Sequence, residues 1–472
     1  MRIGEQNGEE VSITFEGKKL TAYAGEPIAI GLLANGIRRL SISMGGRKRG
    51  AFYVGPAPVE VNGRKRVDSR KEPISEGMNI RRGRYDDYNK EPETYRTSIE
   101  RRYYEVIIVG GGPAGIGAAQ EISGVVPTAL IEKEELGGRA KIREDEFFES
   151  ISLNRLGDVY ERTTALGVFY KGEYVLVPAV QGRKLIEFYA KRVILATGSV
   201  AGTMVFENND MPGIFRVDSA LKAITLYKVA PGERIILTGR TPELIDGILR
   251  KYGLDYLYVP RVKRVEGEEG VERVYDFEGN VYEADAVIVS DGKYPDINPS
   301  TQAGASVRYS DGFLYPETDE KCRINEFVYI AGSARRPFKE HRSSYYHGRM
   351  VGSFVLEDLG YEADGRKYEE YVGEYYRYDL GNIPIEKLNH DESFVCGCDV
   401  TLKKVLEPIR LGYHELQIIK RLSHVAMGFC QGRYCLMHVV RLLHQLTGKD
   451  PNEMDIPSGR PPLWNVKMGI LG

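Results

Sequence analysis

VGGGPAGIGAA, residues 109–119, follows the apolar run YEVIIV and precedes PTALIEK, and this succession of strand, glycine turn, helix and strand makes one βαβ unit. Gly110, Gly112 and Gly115 fit G-x-G-x-x-G, with Pro113 and Ala114 between the last two. Each glycine answers a separate steric demand. Gly110 permits the tight turn, Gly112 lets backbone N–H groups approach a pyrophosphate, and Gly115 allows the helix to lie against the strand, its N-terminus facing the phosphates. Glu132 follows near the spacing of about 20 residues expected for the acid that bonds a ribose hydroxyl. Lys133 stands beside it, and just downstream Gly137 and Gly138 again let the chain approach a ligand while Arg139 offers charge.

Moving outward, VILATGS (residues 193–199) is similar to the Ala-Thr-Gly strand end of two-dinucleotide flavoproteins, which adds Thr197 and Gly198 to the nucleotide site. The later run FVYIAGSA places Gly332-Ser333 where such reductases carry Gly-Asp, and so lacks the carboxylate that helps hold the flavin side of the cofactor. A second βαβ unit reads RIILTG, ELIDGILRKYG and DYLYVP. It keeps only Gly239, with Thr241 and Leu244 at the other two glycine positions, where side chains crowd a pyrophosphate. We expect a degenerate unit that does not take NAD(P).

The 472 residues call for two to four domains. Lys plus Arg (65) nearly balance Asp plus Glu (67), so a net charge of −2 gives no pull toward nucleic acid or an anionic membrane. No apolar run approaches the roughly 20 residues that span a bilayer, and MRIGEQNGEE lacks the layout of a secretory signal, which together suggest a cytoplasmic protein.

Four of the five cysteines crowd the end of the chain, Cys396 and Cys398 as C-x-C, Cys430 and Cys435 as C-x4-C. Four thiolates from two loops suit a [2Fe-2S] cluster, the favoured reading; structural zinc and free thiols are the alternatives. Between and beyond them three helices are expected: VTLKKVLEPIRLG capped by Asp399, HELQIIKRLSHVAMG closed by Gly428, and one from near Cys435 through MHVVRLLHQLTG. Cys322 stands alone and reads as inert, and His424 and His438 as helix-face residues.

The remaining sequence sets a domain plan. Residues 1–66 resemble a β-grasp, ferredoxin-like module with strand-like VSITFEG, KKLTAYAG, AFYVG and VEVNG and a helix over residues 27–35. Its loop GRKRGAFYVGPAPVEVNG holds Tyr53, Pro56 and Pro58 where cluster cysteines would stand, so we expect a fold kept for packing against a partner. The Arg-rich segment 67–102 reads as a connecting arm; residues 103–225 and 285–367 form the nucleotide domain, 226–284 the degenerate unit, 368–392 a linker and 393–472 the helical cysteine domain. The fold class is α/β: a two-dinucleotide-binding, Rossmann-like core of glutathione-reductase type between those two modules.

Taken in order, the cysteine-free β-grasp, GGGPAG, ATG and CGCD…GFCQGRYC cover nearly the whole chain and resemble the α subunits of archaeal dye-linked L-proline dehydrogenases. GRKRGAF, ENNDMPG, KRVEG, PDINP, LQIIKRL and NVKMGIL read the same way, with the large subunits of sarcosine, opine and hydroxyproline oxidases as more distant relatives. The resemblance implies an electron-transfer subunit with no catalytic residue of its own. It implies a β subunit whose FAD oxidises proline to pyrroline-5-carboxylate, FMN at the subunit contact, an (αβ)n assembly, and ATP rather than FAD in the Rossmann site. The competing class is a self-sufficient NAD(P)H-dependent FAD oxidoreductase, which needs a working second Rossmann turn.

Overall fold

Apolar residues without interruption, as in VIIV at 106–109, demand a strand covered on both faces. The computed structural model of the chain describes residues 1–6, 8–87, 98–379, 381–466 and 470. In it Ser98–Val109 runs into the glycine turn with Val106, Ile107 and Ile108 wholly buried. It lies between Thr128–Ile131 and Lys184–Leu195, parallel to both, in a sheet that Asp158–Tyr160 extends on one side and Tyr174–Gln181 on the other. Val328–Ile330 pairs in parallel with Val193, Ile194 and Leu195, so the IAGS strand ends beside the ATG strand. Helix Pro113–Ile122 crosses helix His341–Asp358 where glycines allow it: a Cβ on Gly348 would stand 1.9 Å from the Ala114 carbonyl oxygen.

The second sheet is also parallel, in the order Ile214–Arg216, Ala286–Val289, Ile235–Thr238, Tyr256–Tyr258, with a three-stranded meander from Val262–Glu266 to Val281–Glu283. This corrects the expected limits of 226–284. Ala286–Val289, assigned to the nucleotide domain, lies between two strands of the second sheet, and Ile214–Arg216 with helix Val217–Thr225 joins it too. An all-apolar strand fits either sheet, and only its neighbours decide which. The helix expected from ELIDGILRKYG is broken into a 3-10 turn, Pro242–Leu244, and a short helix, Asp246–Lys251.

At the N-terminus the order is Lys18–Tyr23, Glu10–Phe15, Asn79–Arg84, Ser41–Ile42, Lys48–Arg49, with Pro58–Val61 and Arg64–Asp68 alongside. The central strand, Asn79–Arg84, falls inside the segment read as an arm. Its sequence NIRRGR hides the pattern, because only Ile80 and Gly83 face inward. Residues 88–97 of that arm lie outside the described residues, as do residue 380 of the linker and most of the end of NVKMGIL. AFYVG is a bend and not a strand. Within 368–392, Tyr368 donates to Glu121 at 2.7 Å, and Ile383 and Ile385 are buried.

The C-terminal module opens with the hairpin Phe394–Cys396 and Val400–Thr401, followed by helices Leu402–Arg410, Leu416–Ser423 and Leu436–Thr447. Thr401, not Asp399, caps the first, accepting from the Lys404 N–H. The second stops at His424 in the left-handed region, short of Gly428. Among the described residues no helix is long and apolar enough to cross a membrane.

Candidate functional site

The glycine turn, the ATG strand end and the IAGS strand end meet at one edge of the first sheet. A Cβ on Gly110, whose φ is +112°, would lie 2.3 Å from the Ala196 carbonyl oxygen, and one on Gly115 would lie 1.8 Å from that of Gly110. Both glycines are closed by protein. Gly112 differs: a Cβ there meets nothing within 4 Å, so its space is open ahead of helix Pro113–Ile122, where Pro113 occupies the first turn. Gly138 stands across this opening, its Cβ position 3.4 Å from the Gly112 Cα. Gly332 touches Ala114 on the other side and donates its N–H to His347 Nδ1 at 3.1 Å.

The polar side chains divide into occupied and open groups. Glu132 is buried and accepts from the N–H of Gly111 at 2.6 Å and of Glu134 at 2.8 Å, which leaves lone pairs for a ribose hydroxyl. The Thr197 hydroxyl, beside Gly198 with its φ of +76°, is buried and has no partner among the described residues. An orphaned buried donor is what a polar ligand would satisfy. Ser333 Oγ lies 3.5 Å from Ser344 Oγ, a neutral contact in place of a carboxylate. Arg139 bonds Ser199 at 2.5 Å and Asp218 at 2.8 Å, so its charge is paired within the protein. Burial works to raise the Asp218 pKa, yet Arg139 holds it below the usual carboxylate range. In the second sheet, the Thr241 N–H and hydroxyl both bond the Ser290 carbonyl at 2.9 Å, and Leu244 is buried.

Lys133 points elsewhere. Its Nζ lies 3.9 Å from the ring centroid of Trp464, whose other neighbour is the Arg433 guanidinium, also at 3.9 Å. Trp464 gave no signal in the sequence, being a lone aromatic near the end of the chain. Arg433 is buried and ion-paired with Asp296 at 2.8 Å.

The four clustered cysteines are brought together, none in a disulfide. Cys396, Cys430 and Cys435 are buried, and Cys398 is partly exposed. The S–H groups of Cys398 and Cys435 donate toward the Cys396 sulfur and hold its pKa well below the usual thiol value. The backbone N–H groups of Cys398 and Ala426 also point at it. Burial, and then the negative Cys396, push Cys430 up to about 11, opposed by N–H groups of Gly432 and Tyr434. Gly428 makes room, since a Cβ there would fall 2.1 Å from the Cys398 sulfur. Among the described residues no three His, Cys, Asp or Glu groups close around a point that a single ion would fill. The four sulfurs are soft donors of the kind that iron-sulfur centres and zinc both use.

The other cysteine and the two histidines lie apart from these sulfurs' roles. Cys322 is buried, 3.8 Å from His347 Nε2. His424 ends a helix in the left-handed region rather than facing from one. His438 is buried, with Thr203 Oγ1 2.8 Å from its Nε2.

Comparison with known proteins matches residues 8–85 to a 2Fe-2S iron-sulfur cluster binding domain and residues 390–472 to the sarcosine oxidase A3 domain. The first match contains no cysteine at all. The crystal structure of L-proline dehydrogenase from P. horikoshii is 47% identical, with a TM-score of 0.95 over 100% of this chain and 99% of that one. The alpha subunit of sarcosine oxidase from a Corynebacterium species is 28% identical over 364 residues, 67% of this chain, which spans only 36% of that protein's length. One opine oxidase subunit from Rhizobium meliloti is 23% identical over 80% of this chain and 89% of its own length. With its full length matched at 47% identity, the chain belongs to the L-proline dehydrogenase and sarcosine oxidase family, as an oxidoreductase subunit.

Proposed function

We propose that this chain is the nucleotide-binding, electron-transfer α subunit of a heteromeric dye-linked L-proline dehydrogenase. The observation that carries the relay role is the gathering of Cys396, Cys398, Cys430 and Cys435; the substrate follows from the P. horikoshii relative. A [2Fe-2S] centre held by these four sulfurs would supply one-electron transfer. The chain's own part is to hold and tune: the amides of Cys398, Ala426, Gly432 and Tyr434 offset negative charge on sulfur. Proline oxidation belongs to a β subunit with FAD, with FMN at the contact between subunits. For the Rossmann site we favour ATP over FAD. Gly112 admits phosphates to the helix N-terminus, Thr197 and Glu132 offer a hydroxyl and lone pairs, and Ser333 brings no carboxylate for a flavin.

The test is co-expression with the candidate β subunit, then assay of iron, acid-labile sulfide, released nucleotide and dye reduction. Expected are the iron and sulfide of one [2Fe-2S] centre per chain, an adenine nucleotide without flavin absorbance, and dye reduction with L-proline. Activity with sarcosine or hydroxyproline in place of proline would overturn the substrate. A Cys430→Ser chain that kept its visible iron-sulfur spectrum would overturn the ligand set.

A further inference from the structure

Why a chain retains a ferredoxin-like module with no cysteine is answered by what its loop touches. Arg49, only 1% exposed, ends the strand Lys48–Arg49 and pairs with two carboxylates, those of Asp210 and Asp399. Asp399 follows Cys398 directly, and its other oxygen accepts the Gly45 N–H at 3.1 Å. Arg47, from the same hairpin, bonds Asp210 at 2.8 Å and Glu392 at 2.7 Å. Both guanidinium groups lie over the Phe394 ring, at 4.8 Å for Arg47 and 5.4 Å for Arg49, two residues before Cys396. Gly397, between the paired cysteines, is pressed on Val54: a Cβ there would come within 2.5 Å. Within the chain, this loop seats the C-x-C turn.

Placing a guanidinium in a protein interior costs several kcal/mol unless carboxylates surround it. Glue alone would be supplied as well by apolar residues of similar volume. What apolar residues cannot supply is fixed charge, and charge this deep is little screened by salt.

We infer that the cysteine-free module is the electrostatic backing of the four-cysteine centre, and that Arg49, acting with Asp399, is a positioning residue that sets its reduction potential. This rests on the reading that the four sulfurs hold a [2Fe-2S] centre. An electron added there increases its negative charge. Arg49 favours the reduced form and Asp399 opposes it.

The experiment is an EPR-monitored redox titration of the full chain with its partner. Arg49→Gln is expected to lower the midpoint potential and Asp399→Asn to raise it. The double variant should fall between the two, and Arg49→Lys should restore the parent value. Arg234→Gln, at an exposed pair with Glu283, should leave it unchanged. Should Arg49→Gln fail to load iron, Arg49→Lys and Asp399→Asn decide the matter. Equal midpoints throughout, shifts of the same sign, or loss of iron from both charge variants would reduce the loop to packing and overturn the inference. A parent chain without iron-sulfur signal would sink the underlying reading instead.

Discussion

Gly112 and Gly115 sit three residues apart in one motif, yet substitution should harm them in different ways. Gly112→Val places its branch in open space, so the thermal midpoint should stay near that of the nucleotide-free parent while the chain is purified without its nucleotide. Gly115→Ala drives a methyl into the Gly110 carbonyl and should destabilise the fold by about 1–3 kcal/mol, read by denaturant titration. A nucleotide retained by Gly112→Val would refute the placement of the cradle. Thr197→Val removes a hydroxyl without a partner among the described residues, so we expect affinity to weaken up to about tenfold by calorimetry with no loss of stability. His347 bears on pH. Burial, and then Arg335, lower its pKa to about 3 from the ordinary 6.5. The unfolded chain therefore binds that proton first, and the stability owed to neutral His347 is present above about pH 6.5 and lost as pH falls toward 3. His347→Gln should flatten the thermal midpoint over that window relative to the parent; parallel curves would contradict it. The motif glycines and the four cysteines could be read in the sequence because spacing alone defines them. The orientation of Arg139 could not, since Asp218 reaches it from a distant helix.

Elements followed the sequence wherever their signal was local. The helix after the glycine turn and the one from Leu436–Thr447 lie where proline, cysteine and glycine punctuation put them. Strands whose identity depends on a neighbour did not, as Asn79–Arg84 and Ala286–Val289 illustrate: one hides two inward residues among arginines, the other fits two sheets equally. Helix caps belong to the same class. Asp399 is a good capping residue, but its carboxylate is taken by Gly45 and Arg49 from the N-terminal module, and Thr401 caps instead. Thr401→Ala should thus cost about 1 kcal/mol in denaturant unfolding. Ile80, fully buried on the central strand, tests the module itself. Ile80→Ala should cost about 2–5 kcal/mol, and an unaffected transition would mean that residues 79–84 do not form a core strand.

At the scale of the molecule, the end of the chain ties the two candidate centres together. Leu463 donates its N–H to the Leu166 carbonyl at 2.8 Å, which lays the tail along the nucleotide domain and sets Trp464 between Lys133 and Arg433. Lys133 follows the residue that we assign to the ribose, while Arg433 lies between Cys430 and Cys435. Arg433 pairs with Asp296, whose N–H in turn bonds the Gly198 carbonyl at 3.2 Å. The C-x4-C loop is thus joined to the nucleotide site twice, to the ATG turn through the Asp296 ion pair and to Lys133 through a stacked indole. Trp464 is the single tryptophan of the chain, so its emission reports on this junction alone. Adding an adenine nucleotide to nucleotide-free protein should change that emission, saturating at the affinity measured by calorimetry. Lys133→Ala should remove most of the change while leaving calorimetric binding detectable. Binding heat with unmoved emission in the parent would show that the tail does not sense the Rossmann site, and that Lys133 serves only to pack the indole.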